Sequence, residues 1–217
     1  MQPLTELLQN HPLRDRVLSE WQLERISGGS AARRYGLVNR ALKAGEMVRV
    51  RRGLYALAPR YRNQPLHPFA IAQAIAPGSY VSFETALAHH GWIPEAVRVI
   101  ASVVPGRKSS EIEHPVFGSF SFHPLALERY RFLELIERKQ FANQTTLIAA
   151  PIRALMDLVC LRKLEWQGPG FLTDGMRINP ESLTKISATQ IQTLLQVYKQ
   201  RRSREFLNSL ARELNLD

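Results

Sequence analysis

Apolar and polar positions alternate with a changing period along the chain, and the clearest helical period lies in residues 31–43. There Ala31, Tyr35, Val38 and Leu42 recur at i, i+4, i+7 and i+11, with Ala41 beside them. At 100° per residue this predicts an amphipathic helix whose core stripe is those residues. Arg33, Gly36, Arg40 and Lys43 fall on the opposite face, and Asn39 on its flank. Arg34 falls near the core side, where its stem can snorkel outward. Ser30 is placed to cap the helix start, and Gly45 to end it as a left-handed residue. The period then drops to two. Met47-Val48-Arg49-Val50 alternates, Leu54-Tyr55-Ala56-Leu57 reads as a return strand, and Arg51-Arg52-Gly53 supplies a turn with Gly free to take positive φ.

A helix followed by a two-stranded hairpin is the second half of a winged helix-turn-helix. The first half is expected upstream. Ser19-Glu-Trp-Gln22 has the S-x-x-Q form of a capping box, so a helix starts at residue 20 with Trp21 and Ile26 facing inward. Ser27-Gly28-Gly29 is then the turn, and Thr5 to Gln9 makes a short first helix ended near His11-Pro12. Residues 58–68 hold three prolines and read as a linker. This gives two domains, a winged helix-turn-helix over residues 1–62 and a second domain over residues 63–217.

The second domain has a mixed pattern. Helices are expected over Phe69–Ala76, Phe83–His90 and Leu147–Leu161, the last after an extended Thr145–Ala149. A short helix should open at Asn179-Pro180, another at the Ser187–Gln190 capping box and run to about Gln200, and a last over Arg204–Leu214. Val97–Val104 and Val116–Phe122 are β-prone. The fold class is therefore α+β: a winged helix-turn-helix followed by a mixed α+β domain with a small sheet and a helical tail.

Charge sharpens this picture. Residues 1–62 hold twelve Lys/Arg against five Asp/Glu, residues 63–125 three against four, and residues 126–217 fourteen against ten, for the net charge of +10. The excess is concentrated in the first third and on arginine, which suits bidentate contacts to phosphate and guanine. The expected partner is double-stranded DNA. Arg33, Asn39 and Arg40 are expected at base edges, since Arg reads guanine and Asn adenine. Ser30, at the start of the same helix, is expected among the DNA-binding residues. Arg34, Lys43, Arg49, Arg51 and Arg52 are expected to grip phosphate or an adjacent minor groove. A membrane-surface helix would need a bulkier apolar face than Val38, Leu42 and Tyr35 provide.

Candidate chemistry adds little. The six histidines form no metal-ligand spacing, and on a helix His89 and His90 point about 100° apart, one expected inward and one outward. Glu137-Arg138-Lys139 has the E-x-K form of a nuclease half-site but falls on an expected helix without an upstream acid. Asp157 is expected to bond a backbone group or an arginine. The single Cys160 lies in an apolar run and is expected to be a buried, inert thiol. No phosphate-cradling loop and no acid–base constellation stand out. No catalytic residue, cofactor or metal is expected. Nor is a secretory signal or membrane span visible, so the expectation is a cytoplasmic protein that is not an enzyme.

Three stretches in order resemble the AbiEi-type antitoxins of type IV toxin–antitoxin (abortive infection) systems. They are LVNRALKAGEMVRVRRGLYAL with Gly45, Arg52, Gly53 and Tyr55; Tyr80-Val-Ser-Phe-Glu-Thr-Ala-Leu-Ala-His-His-Gly91; and Ala150-Pro-Ile-Arg-Ala-Leu-Met-Asp-Leu158. Residues 1–29 match only loosely. The resemblance implies a repressor that binds inverted repeats in its own promoter. It also implies a C-terminal domain that counters a nucleotidyltransferase-type toxin without needing a stable complex. Two other classes remain open: a winged-helix regulator with a ligand-sensing or dimerising second domain, and a DNA-acting nuclease.

Overall fold

The computed structural model describes residues 3–216 and divides them into two units. The first holds the chain up to Pro77 with His114–Phe117 and Gln140–Thr146. The second holds Gly78–Glu113, Gly118–Lys139 and the chain from Leu147. The fold is α+β, with one three-stranded antiparallel sheet and one six-stranded mixed sheet.

The first unit begins with α1 (Leu4–Gln9), β1 (Leu18–Ser19), α2 (Glu20–Ser27) and α3 (Ala31–Lys43), followed by β2 (Met47–Arg51) and β3 (Leu54–Leu57). Local chemistry sets the helix ends. Both bonds of the capping box form at α2: the Gln22 N–H donates to Ser19 Oγ, and the Ser19 N–H donates to Gln22 Oε1 at 2.8 Å. At α3 the Arg33 N–H donates to Ser30 Oγ at 3.2 Å. Gly45, at φ +66°, ends that helix, and the N–H groups of Gly45 and Glu46 reach the carbonyls of Leu42 and Ala41. Two otherwise orphaned acceptors are satisfied in this way.

β2 and β3 pair antiparallel from Met47↔Leu57 to Arg51↔Leu54, with an irregularity between Arg49 and Arg51. Gly53 turns the hairpin at φ +79°. β1 pairs with the far side of β3 through Leu18↔Tyr55. Two residues carry no readable period, so this strand was not foreseen.

The core of the first unit packs Leu4, Leu8, Leu18 and Leu23 against Leu37, Val38 and Ala41. This corrects the expected phase of α3. Ala31 is exposed and Tyr35 is 73% exposed, while Leu37 is buried. The buried stripe is Leu37–Val38–Ala41 with Leu42 at its edge, a rotation of roughly 80° from the expected stripe. Trp21 is also turned outward, at 62% exposure, with the Arg25 guanidinium 4.8 Å from its ring centre. Both aromatics are large and apolar, which is why the sequence pattern places them in the core. The aliphatic stripe on the adjacent phase buries just as well and leaves the Tyr hydroxyl and Trp N–H in water.

α4 (Pro68–Ile75) completes the first unit's helices. Around it, the Gln144 side chain accepts from the His67 N–H and donates to the Pro65 carbonyl.

The second unit contains β4 (Tyr80–Val81), α5 (Phe83–His89), β5 (Val99–Val103) and β7 (Gly118–His123), with β6 (Ser110–His114) up to Glu113, β8 (Ile136–Phe141) up to Lys139 and β9 (Gln144–Ala149) from Leu147. Its remaining helices are α6 (Pro151–Arg162), α7 (Pro180–Leu183), α8 (Ala188–Leu195) and α9 (Arg201–Glu213). The sheet order is β6-β7-β5-β4-β9-β8. β5 runs antiparallel to β4 and parallel to β7.

Four expectations change here. Val116 sits in a hairpin turn rather than in a strand, because His114 Nδ1 accepts the N–H groups of Val116 and Phe117 and reverses the chain. Leu147–Ala149 belong to β9, and α6 starts at Pro151, whose missing N–H costs nothing at a first helical position. α8 stops at Leu195, short of Gln200. Glu137–Lys139 lie on β8, not on a helix. The Asn179–Pro180 start and the Ser187–Gln190 capping box are present as expected.

A buried polar cluster joins β4, Ser82 just before α5, α6 and Tyr198, three residues beyond the end of α8. Asp157 accepts from Arg153 Nε at 2.9 Å, Tyr198 OH at 2.7 Å, Ser82 Oγ at 2.7 Å and Tyr80 OH at 3.0 Å. Arg153 Nη1 also donates to the Glu134 carbonyl. Both charged side chains are fully buried. Burial alone would pull the Arg153 guanidinium down, but Asp157, then Tyr198 and Tyr80, hold it above the usual arginine value. Burial first, and then the Asp157 charge, push both tyrosines well above theirs. Of the two partners expected for Asp157, a backbone group or an arginine, the arginine is the one present. Ser82, at the start of α5, gives its hydroxyl to Asp157 and makes no cap bond.

Candidate nucleic-acid interface

With Leu37, Val38 and Ala41 buried, the outward face of α3 centres on Ala32, Gly36, Asn39 and Lys43. Arg33 and Arg40 lie on one flank and Tyr35 on the other. Two small residues in the middle leave room beneath the longer side chains. The Arg40 guanidinium lies across Gly36, with Nη1 only 3.3 Å from where a Cβ would stand. Arg33 folds back the same way over Gly29, at 3.0 Å. Both cations are held close to the helix surface at its exposed side.

Arg34 is committed elsewhere. Its Nη1 bridges Glu24 Oε1 of α2 at 3.0 Å, and only 18% of its side chain is exposed. It therefore closes the α2–α3 corner, and a phosphate reaching it would compete with Glu24. Ser30 uses its oxygen as the cap and remains at the exposed helix start.

On the hairpin the three arginines separate. Arg49 is exposed, its guanidinium 5.9 Å from the Tyr55 ring centre, and its carbonyl is 2.9 Å from His114 Nε2. Arg52 is exposed at the turn. Arg51 instead donates from Nη1 to the Ile75 carbonyl at the end of α4, at 2.7 Å. So Arg49 and Asn39 share a concavity of about 390 Å³ with Arg34, Tyr35 and Glu20, while Arg51 is drawn away from it. Pattern reading missed Tyr35. The signal for it was Leu37, an aliphatic residue that the expected stripe left unassigned.

What this surface can do follows from its charge. An exposed helix face with Arg33, Arg40 and Lys43, flanked by a hairpin carrying Arg49 on β2 and Arg52 at its turn, is complementary to a polyanion. Asn39 at its centre can both donate and accept at a base edge.

The second unit's candidates are placed as follows. His90 Nε2 lies 2.9 Å from the Ala149 carbonyl, and His89 is exposed. Although its side chain is exposed, partial desolvation of the ring, together with His90 and Lys139, lowers the His89 pKa. Glu137 and Lys139 bridge each other at 2.6 Å on β8, so the helix objection to an E-x-K half-site falls. The missing acid remains: among the described residues no three His, Cys, Asp or Glu side chains gather as a metal site. Cys160 is buried, and burial pushes its thiol up. Among the described residues no helix is long and apolar enough to cross a membrane. No family model matches the chain, and no curated protein matches it at a significant level.

Proposed function

We propose that the first unit is a winged helix-turn-helix that binds double-stranded operator DNA, and that the chain is an AbiEi-type antitoxin and autorepressor. The observation that carries the DNA reading is the run α2, Gly28–Gly29, α3 and the β2–β3 hairpin, with Arg33, Arg40, Lys43, Arg49 and Arg52 exposed on its last two elements. The three-stranded sheet supports the same reading, because β1 pairs with β3 and ties the segment before α2 to the hairpin. In this reading α3 enters the major groove with Asn39 and Arg40 toward base edges. Arg49 and Arg52 hold backbone or the neighbouring minor groove.

The antitoxin reading rests on the three ordered motifs. Two of them converge on one buried cluster, since Tyr80 and Ser82 of the second motif both donate to Asp157 of the third. That contact gives the motif residues a structural reason to occur together. The toxin-countering activity is assigned to the second unit, against a nucleotidyltransferase-type toxin and without requiring a stable complex.

The test is growth. The reading frame adjacent to this gene is expressed alone and together with the full chain. Toxicity alone, and rescue by both the full chain and the Arg33→Ala/Arg40→Ala variant, is the expected result. A toxic neighbour that the full chain does not rescue ends the antitoxin reading and leaves the DNA reading to be judged separately.

A further inference from the structure

We propose that the second unit binds a small carboxylate with an apolar body, in the cleft between α5, α6 and the β5–β7 face of the large sheet. The cleft encloses about 540 Å³, a volume within the usual range of small-molecule sites. Leu87, Ile93, Leu158 and Leu161 make it apolar, and Val99 and Ala101 of β5 form its sheet wall. Such a lining takes up an alkyl chain or a single ring.

The mouth selects the charge. Two carboxylates line the cleft, and both are already bridged, Glu84 by Arg162 and Glu95 by Arg177. Arg98 also lines it. This guanidinium is exposed and has no hydrogen-bond or ion-pair partner among the described residues. The charge left over at the rim is therefore positive. A carboxylate meets it with a charge-assisted bond, an alcohol of the same body only weakly, and an ammonium is repelled.

The backbone beneath the cleft is under strain. Phe83 is buried, lines the cleft and holds φ +57°, a conformation that bulky residues adopt only at a cost and that clusters at ligand sites. The strained turn is pinned from behind, because Ser82 next to it is bound to Asp157 in the buried cluster. On the open side the Phe83 ring meets His123 edge-on, with centroids 5.7 Å apart. The cleft wall is thus a fixed shape, held by the buried network.

Every residue used here lies in the second unit, so the proposal stands or falls independently of DNA binding. The experiment is calorimetric titration of the full-length protein with decanoate, decanol and decylammonium, each kept below its aggregation threshold. Saturable one-site binding is expected, tightest for decanoate and weakest for decylammonium. Arg98→Glu should raise the decanoate Kd about tenfold or more, the effect of losing one charged hydrogen bond, and leave decanol unchanged. Val99→Trp, which places a ring over an exposed part of the cleft, should weaken all three. Absence of saturable decanoate binding overturns the proposal, and so does decanoate binding that both variants leave intact.

Discussion

Asp157 shows how much a single side chain organises. It is fully buried and accepts four hydrogen bonds, from Arg153, Tyr198, Tyr80 and Ser82. Asp157→Ala leaves the Arg153 charge buried and uncompensated, so urea titration should show a loss of about 3–5 kcal/mol. The tyrosines add a pH dependence with a definite sign. Their pKa values are raised in the fold, by burial and then by Asp157. Above about pH 10 the unfolded chain releases those protons first. Stability should therefore fall as pH rises through that region, and tyrosinate absorbance from Tyr80 and Tyr198 should appear only with unfolding. Cys160, buried with its thiol pushed up, should ignore a thiol reagent in the native protein and react at once in denaturant. At this scale the sequence was partly legible. Arg153 is one helical turn from Asp157, and an arginine was one of the two kinds of partner expected for that carboxylate. Tyr80 and Tyr198 lie 77 and 41 residues away, and nothing local points to them.

Among the elements, those set by contacts close in sequence were the most legible, the β2–β3 hairpin among them. The capping boxes at Ser19 and Ser187, and the Asn179–Pro180 start, form because their partners are built into the same turn. The phase of α3 was read wrongly because Tyr35 and Leu37 both offer an apolar stripe through Val38. The choice is made by what α1, β1 and α2 supply opposite. That choice turns Tyr35 outward and brings Asn39, rather than Arg33, to the centre of the exposed face. β8 was misread because Glu137–Lys139 lack a strand's apolar alternation. Gly36 gives the helix face its test. Gly36→Ala should raise stability by up to about 1 kcal/mol from helix propensity, read from the thermal midpoint. It should also weaken duplex binding, since the new methyl pushes against the Arg40 guanidinium. Arg40→Ala should relax preference at one base position, at about 1–3 kcal/mol. Arg52→Ala should weaken all sequences alike and flatten the salt dependence by roughly one unit of slope.

Across the whole molecule, charge and chemistry separate. The first 62 residues carry most of the net positive charge of +10, while the buried polar cluster and the apolar cleft belong to the second unit. Composition revealed the first of these from sequence, because a one-signed surface needs no long-range information. The cleft was illegible, since its walls come from α5, β5, β7 and α6, which only the folded sheet brings together. Operator binding is the central claim, and fluorescence anisotropy of the full chain on duplex DNA from upstream of its own reading frame tests it most directly. A scrambled duplex and the Arg33→Ala/Arg40→Ala variant serve as comparisons at two salt concentrations. The account predicts that the upstream duplex binds at least about a thousandfold more tightly than the scrambled one, with affinity falling steeply with salt, and that the double variant loses the discrimination. Equal binding of both duplexes, unchanged in the double variant, contradicts it.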